Sequence, residues 1–494
     1  MLVILDGFGY RKAIIGNAIA AAKMPFFTST WVRYAHALLQ ASGIFVGLPN
    51  GYIGNSEVGH TTIGAGRICK QSMTIINDVI AQHALHKNEP LRELCKKVVS
   101  ENRRLHLIGI ISDGGVHGHI DHLLAYIKTA YSLGVHSIIV HAILDGRDSL
   151  PFSATTYLAQ LDEIIKKYSG VQIGSIHGRF YAMDRDRNEE RTEKSIIVLT
   201  EKTPVLFSSW QEVLDDAYKK NITDEFIQPE ALISDGYIQK GDGILCTNIR
   251  PDRMRQLTSV LCHKQKKIAF QELATAVPYV EKSCTKALFY PIHPQVTLKD
   301  VLNEYHKRIY TIAETEKYAH VTYFFDGGKE VIFPYETRVL IPSLKREKYD
   351  TDPEMSAQKI TNMLKYSLQT DMHDFYLVNY ANADMVAHSG NFLATVKAVE
   401  FLDTQLAVLY QEVVQKRNGI LCITADHGNA EEMIDMYTGL SKTSHTTNPV
   451  PFLMICNNKW CEPKNIPLYQ LADIAPFLLK CMGLSIPGSM KSCC

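Results

Sequence analysis

The chain opens on MLVILDGFGY (residues 1–10), an apolar run that ends in Asp6-Gly7. The same ending recurs in ISDGGVHGHI (111–120), AILDGRDSLP (142–151) and TYFFDGGKEV (322–331), and a variant, LCITADHGNA, occupies 421–430. One Asp-Gly after a strand is turn chemistry, since aspartate hydrogen-bonds its own backbone and glycine takes positive φ. Five such endings, several with His or Arg alongside, ask for a further reason. Continuous apolar strands belong to parallel sheets covered on both faces. In such sheets ligands bind beyond the carboxyl ends of the strands. The aspartates would stand on that rim, as candidates for one or two active sites.

Working outward, strands are expected at 2–5, 105–111, 137–144, 172–176, 244–248, 375–379, 420–424 and 452–455. Helices are expected at 28–40, 120–132, 154–168, 252–262, 357–369, 392–416 and 468–482. The alternation predicts an α/β fold. The pattern breaks near 71–80 and again near 289–295, where FYPIHPQ carries two prolines. Between them runs a strand–helix alternation of its own, so the expectation is an inserted domain at 71–292 within a discontinuous one, 1–70 and 293–494.

The bulk numbers exclude several classes. With 52 basic and 52 acidic residues the net charge is zero, so no global field draws the chain to nucleic acid or an anionic membrane. No basic-then-apolar leader is seen, and no apolar run approaches the roughly 20 residues that span a bilayer. The 11 cysteines form no C-x-x-C pair and include Cys493 and Cys494, which reads as scattered thiols in a reducing compartment. A cytoplasmic, monomeric protein acting on a small molecule is expected.

NADMVAHS places Asp384 and His388 four apart, on one face of a helical turn, where they could bind one cation; an N-cap and a surface His is the plainer reading. TADHGN puts Asp426 and His427 at a strand end, and SHTTNPVPF adds His445. With Asp6 these make six donors, enough for two divalent ions. Mixed carboxylate and imidazole suits Mn²⁺ or Zn²⁺ rather than Ca²⁺. Two metals clamp attacking and leaving oxygens in phosphoryl transfer. Ser56, in Gly54-Asn55-Ser56-Glu57, sits where a helix could begin and face an anion; it is an N-cap or a nucleophile activated by a metal. The central block offers Asp113, His117, His119 and His122, with a further metal site as one option. It also offers Arg147, Asp148, Arg179, Arg185, Arg250 and Arg253. Arginines grouped at strand–loop junctions would hold a small polyanion, although each alone reads as a surface ion pair.

In order along the chain stand LDGFG, GNSEVGH, IGAGR, SDGGVHGH, LDGRD, HGRFYAMDRD, RPDRMRQ, ETEKYAHVTYFF, PEMSA, NADMVAH, TADHGN and HTTNPVP. This series resembles the cofactor-independent phosphoglycerate mutases of the alkaline phosphatase superfamily, over essentially the whole chain. The resemblance implies a phosphatase-like domain built from both ends and an inserted transferase domain. It implies that Asp384, His388 and His445 hold one Mn²⁺, and that Asp6, Ser56, Asp426 and His427 hold the other. Ser56 would become phosphoserine, and His117, Arg147, Asp148, Arg179, Arg185, Arg250, Arg253 and Lys317 would line the substrate site. The implied reaction interconverts 3-phosphoglycerate and 2-phosphoglycerate without bisphosphoglycerate, with Asp148 as the base on the glycerate hydroxyl and His117 hydrogen-bonding that group. The alternative is another phosphomutase or a metal-dependent phosphomonoesterase of the superfamily, which would lack the RPDR and HGRFYAMDRD arginines. Departures are modest. Arg187-Asn188-Glu189-Glu190 stands where a Trp is frequent, Gly118 replaces a common Ser, and Ala383 and Ala387 replace Pro and Gly.

Overall fold

Leu2–Leu5 is a fully buried strand paired in parallel with Phe375–Tyr380 on one side and Leu421–Thr424 on the other. Its side chains are apolar on both faces, as a central parallel strand requires. In this computed structural model, which describes residues 1–494 except 281–284, 347, 436–437, 458–465 and 491–494, the chain divides into two units. One is Met1–Lys70 with Ile292–Cys494, the other Gln71–Pro291. Cys493 and Cys494 lie outside the described residues.

The first unit is built on a seven-stranded sheet in the order Glu336–Ile341, Ile309–Glu314, Phe375–Tyr380, Leu2–Leu5, Leu421–Thr424, Val450–Ile455, Ala35–Leu39. The pairings are parallel until Val450–Ile455, which is antiparallel to both its neighbours. The carboxyl ends of four strands therefore present Lys317, Asp384, Asp6 and Asp426 on one rim.

Three expectations need correction here. The helix expected at 28–40 ends at Arg33, and Ala35–Leu39 is instead an edge strand on Val450–Ile455. Its sequence, AHALL, favours helix locally, but pairing across the sheet overrides that preference. The strands Ile309–Glu314 and Glu336–Ile341 were not expected, because apolar runs this short carry no decisive period. Finally, TYFFDGG is no strand end. Residues His320–Phe324 form a π-helical turn, and Asp326 is buried 3.2 Å from Lys299 and 2.7 Å from Arg338. Burial pushes its carboxyl up to about 7 against the pull of Lys299. That aspartate is structural.

The second unit carries its own seven-stranded sheet in the order Glu230–Ala231, Val171–Gly178, Ile138–Leu144, Leu105–Ile110, Gly243–Cys246, Glu272–Thr275, Thr285–Ala287. All its pairings are parallel except that of Glu230–Ala231. Across the middle of this sheet runs a buried polar chain. Asp242 Oδ2 lies 3.0 Å from His106 Nε2, and His106 Nδ1 lies 2.9 Å from His141 Nε2. His141 Nδ1 then lies 2.6 Å from Ser175 Oγ, which is 2.7 Å from His177 Nε2. Among the described cysteines, Cys95, Cys246, Cys422 and Cys481 carry free thiols, but Cys262 in the second unit and Cys456 in the first each stand in a disulfide of their own, against the expectation of scattered thiols. The expectation rested on sequence spacing, whereas a disulfide needs only proximity in the fold.

Burial holds these histidines neutral: His177 falls to about 3, as does His122, which is bonded to Asn77 (2.6 Å). The unfolded chain takes up a proton at each near pH 6.5 and the folded chain does not. Their stabilisation is thus complete above pH 6.5 and is lost as pH falls from 6.5 toward 3, by about 1.4 kcal/mol per pH unit for each histidine. Urea unfolding at pH 7, 6 and 5 should show falling stability, and His122→Gln should remove about one proton's worth of that slope. An unchanged slope in the variant would contradict the assignment.

Candidate active site

Helix Ser56–Ala65 starts at the rim of the first unit. Asn55 caps it by accepting from Val58 N, and Gly66 ends it in the left-handed conformation. Two glycines let the parts approach. A Cβ at Gly59 would stand 2.5 Å from Asp426 O, and one at Gly7 (φ +70°) would stand 2.7 Å from Asp384 Cβ. The recurrent Asp-Gly therefore has a packing reason at this site, in addition to its turn chemistry.

Ser56 Oγ donates to Asp6 Oδ1 at 3.1 Å and lies 3.0 Å from His427 Nε2. Lys317 Nζ donates to Ser56 Oγ (2.8 Å), Asp6 Oδ1 (2.5 Å) and Asp384 Oδ2 (2.7 Å). Asp384 Oδ1 is 3.2 Å from both His388 Nε2 and His445 Nε2. The far nitrogens of these rings are oriented by Thr443 O (2.7 Å) and Gly54 O (3.0 Å). All seven expected metal ligands and Lys317 thus gather in one cluster.

Sequence reading missed the layer beneath. His60 Nδ1 is 3.1 Å from Asp426 Oδ2, Asn379 Nδ2 donates to Asp6 Oδ2 (2.8 Å), and Asn429 Nδ2 donates to Asp384 Oδ1 (2.8 Å). His60 and Asn429 stand inside motifs already singled out, GNSEVGH and TADHGN; Asn379 lies next to the last residue of Phe375–Tyr380 and gives no signal.

The electrostatics are those of a site with surplus negative charge. Burial alone would raise the carboxyls of Asp6 and Asp384, yet the Lys317 ammonium holds both below their ordinary range. Burial would lower His427, yet Asp426 and Asp6 bring it to about 10. Asp426 Oδ2 is buried and makes no hydrogen bond. Three sets of donor atoms lie within 4.8 Å of one another: Asp384, His388 and His445; Asp6, Asp384 and His427; and Asp6, His60 and Asp426. Clustered carboxylates and imidazoles with an orphaned oxygen fit a divalent metal centre. Among the described residues, no such set includes His117, His119 or His122.

The second unit gathers the other expected group. Arg179 Nη1 bridges Asp145 Oδ1 (2.5 Å) and Asp148 Oδ2 (2.6 Å). His117 lies 3.8 Å from both Asp148 Oδ2 and Asp252 Oδ1. Burial, helped by Arg179, lowers the imidazole to about 4, so it is neutral at pH 7. Asp252 is 3.0 Å from Arg250 and 3.5 Å from Arg185. Arg253 donates to Met183 O (3.3 Å), and burial beside Arg179 and Arg185 pulls its guanidinium down. Side chains of Arg147, Arg185 and Arg250 are 55%, 51% and 42% exposed, which leaves them free to meet an anion. Asp145, one of the recurrent Asp-Gly aspartates, and Asp252 hold the arginines in place; Asp252 lies within RPDR, where only the arginines drew attention.

A family model described as the Metalloenzyme superfamily matches residues 1–486, which sets the chain among the metalloenzymes. Curated relatives named 2,3-bisphosphoglycerate-independent phosphoglycerate mutase include one from a Cyanothece species, 42% identical and covering 99% of this chain and 94% of its own. Another, from Clostridium perfringens, is 42% identical and covers 100% and 98%. The solved phosphoglycerate mutase of Leishmania mexicana, studied at low cobalt concentration, superposes with a TM-score of 0.75 at 28% identity, covering 99% of this chain and 96% of its own. The chain belongs to the family of 2,3-bisphosphoglycerate-independent phosphoglycerate mutases.

Proposed function

We propose that this enzyme interconverts 3-phosphoglycerate and 2-phosphoglycerate by way of a phosphoserine at Ser56, with no bisphosphoglycerate. The observation that supports this most is Ser56 Oγ, held at a helix start between Asp6, His427 and Lys317. Asp384, His388 and His445 would hold one divalent ion, and Asp6, Ser56, Asp426 and His427 a second; their mixed donors favour Mn²⁺. Bound there, such ions would acidify the serine hydroxyl and neutralise phosphate oxygens.

The serine oxygen, entering without its proton, forms a bond to phosphorus as the bond from phosphorus to the C3 oxygen breaks; the departing oxygen takes a proton from Asp148, which the 2-hydroxyl returns in the second half, and Ser56 leaves as the same unprotonated oxygen. In the second half the 2-hydroxyl gives up a proton and takes the phosphoryl group from Ser56. Lys317, already donating to Ser56 Oγ, stabilises the charge that grows on this oxygen in both directions. Asp148 is assigned to the glycerate hydroxyl protons, and neutral His117 to hydrogen-bonding the same group. The arginines bind the glycerate carboxylate.

An enolase-coupled assay tests this reading. Chelation should abolish turnover, Mn²⁺ should restore it, and added bisphosphoglycerate should change nothing. A requirement for bisphosphoglycerate would overturn the proposal. Arg250→Ala, which removes one charge-assisted contact, should lower kcat/KM by about 10- to 100-fold, chiefly through KM. A fall confined to kcat would argue against a binding role.

A further inference from the structure

Asp6, His60, Asn379 and Asp426 are all fully buried, so the polar contacts among them are made away from bulk water. Asp6 is ionised, against burial, beside the Lys317 ammonium, and a carboxylate only accepts. Its Oδ2 takes a hydrogen bond from Asn379 Nδ2 at 2.8 Å. The same amide nitrogen stands 3.0 Å from His60 Nε2. An amide nitrogen has two hydrogens and nothing to accept with, so His60 Nε2 must accept and carries no proton. Turning the amide over would set its carbonyl oxygen against the Asp6 carboxylate, two acceptors in contact. The proton of the neutral ring is therefore on Nδ1, which donates to Ser56 O at 2.9 Å and faces Asp426 Oδ2 at 3.1 Å.

That tautomer decides what His60 does. Asp6, His60 and Asp426 hold donor atoms close enough for a metal ion, but a ring nitrogen ligates through the lone pair that the Nδ1 proton occupies here. His60 is thus no ligand. It stands instead at the junction of three groups used by the reaction proposed above: the carbonyl of the nucleophile's own residue, Asp426 directly, and Asp6 through Asn379. We infer that His60 is a positioning residue, a neutral imidazole with its proton fixed on Nδ1, that holds Ser56, Asp6 and Asp426 in one arrangement for the second divalent ion. Its role toward the ion rests on the two-ion reading above; the tautomer rests on the hydrogen bonds alone. A ring with its proton on Nε2 would meet Asn379 donor to donor and turn a lone pair on Ser56 O, both costly contacts in a dry site.

Two measurements on the full chain test the inference. In the chelated protein labelled with ¹⁵N-histidine, long-range ¹H–¹⁵N correlation should show the His60 ring, identified by its loss in His60→Asn, protonated on Nδ1 and bare on Nε2. A ring protonated on Nε2, or on both nitrogens, would overturn the inference whatever the variants do. Calorimetric titration with Mn²⁺ reads the positioning. His60→Leu should bind one ion about 10- to 100-fold more weakly than the wild type, the cost of losing a group behind a metal ligand, and leave the other ion nearly unaffected. His60→Asn, whose amide reaches the Nδ1 position, should recover most of the loss. His60→Gln, whose amide reaches the Nε2 position, should not. Unchanged Mn²⁺ affinity in His60→Leu would overturn the positioning role, and so would rescue by Gln in place of Asn. A wild type that takes up fewer than two Mn²⁺ ions would instead contradict the two-ion reading, and the tautomer measurement separates that failure from failure of the present inference.

Discussion

Ser56→Ala is expected to fold as the wild type does and to lose roughly four orders of magnitude or more of mutase turnover. The substitution removes one hydroxyl at the first position of a helix whose cap is Asn55, so the capping bond to Val58 N is untouched. What it removes is the oxygen that Asp6, His427 and Lys317 converge on. No neighbouring hydroxyl is bonded within that group to take its place, so the residual rate should approach that of the uncatalysed transfer. Thermal unfolding of the variant should stay within a few degrees of the wild type. Retention of even a tenth of the activity would exclude Ser56 as the acceptor.

Asp148→Asn should separate the two halves of the chemistry. An activated aryl phosphate has a leaving group that departs without a proton, so its transfer to Ser56 needs the cluster of the first unit alone. Glycerate is a poor leaving group, and its hydroxyl must exchange a proton in each direction, which by microscopic reversibility uses one group in both. The variant should therefore lose about 10²- to 10⁴-fold in mutase rate and keep most of any aryl phosphatase activity. Asparagine can still bond Arg179 through its carbonyl oxygen, so the 2.6 Å contact need not collapse. Near-normal mutase activity would remove Asp148 as the base and leave His117, neutral at pH 7 because burial lowers it to about 4, as the candidate.

The parts of this fold that were legible in the sequence are those where one strand carries both apolar faces and a functional ending. Leu2–Leu5 with Asp6, and Leu421–Thr424 with Asp426 and His427, announce strand and site together. Ala35–Leu39 does not, because its strand state comes from Val450–Ile455 and not from its own residues. TYFFDGG misled for a related reason: its aspartate pairs with Lys299 and Arg338, which are remote in sequence. The same holds within the site. Ligand types show themselves through chemistry, while the groups that hold them, His60, Asn379 and Asp252, are ordinary residues until the fold brings them underneath. Lys317 is the sharpest case. By itself it reads as a solvated lysine, and only the family resemblance picks it out, yet it is buried and bonded to two carboxylates and the serine.

In the proposed reaction the phosphoryl group passes through Ser56 itself. The measurement that reaches it most directly is mass spectrometry of the Mn²⁺-loaded enzyme, acid-quenched during steady-state turnover of 3-phosphoglycerate and digested to peptides. A phosphate should appear on Ser56 with substrate and vanish when the substrate is consumed by enolase. Turnover with Ser56 unmodified at every quench time, or with the phosphate on a different residue, would contradict it.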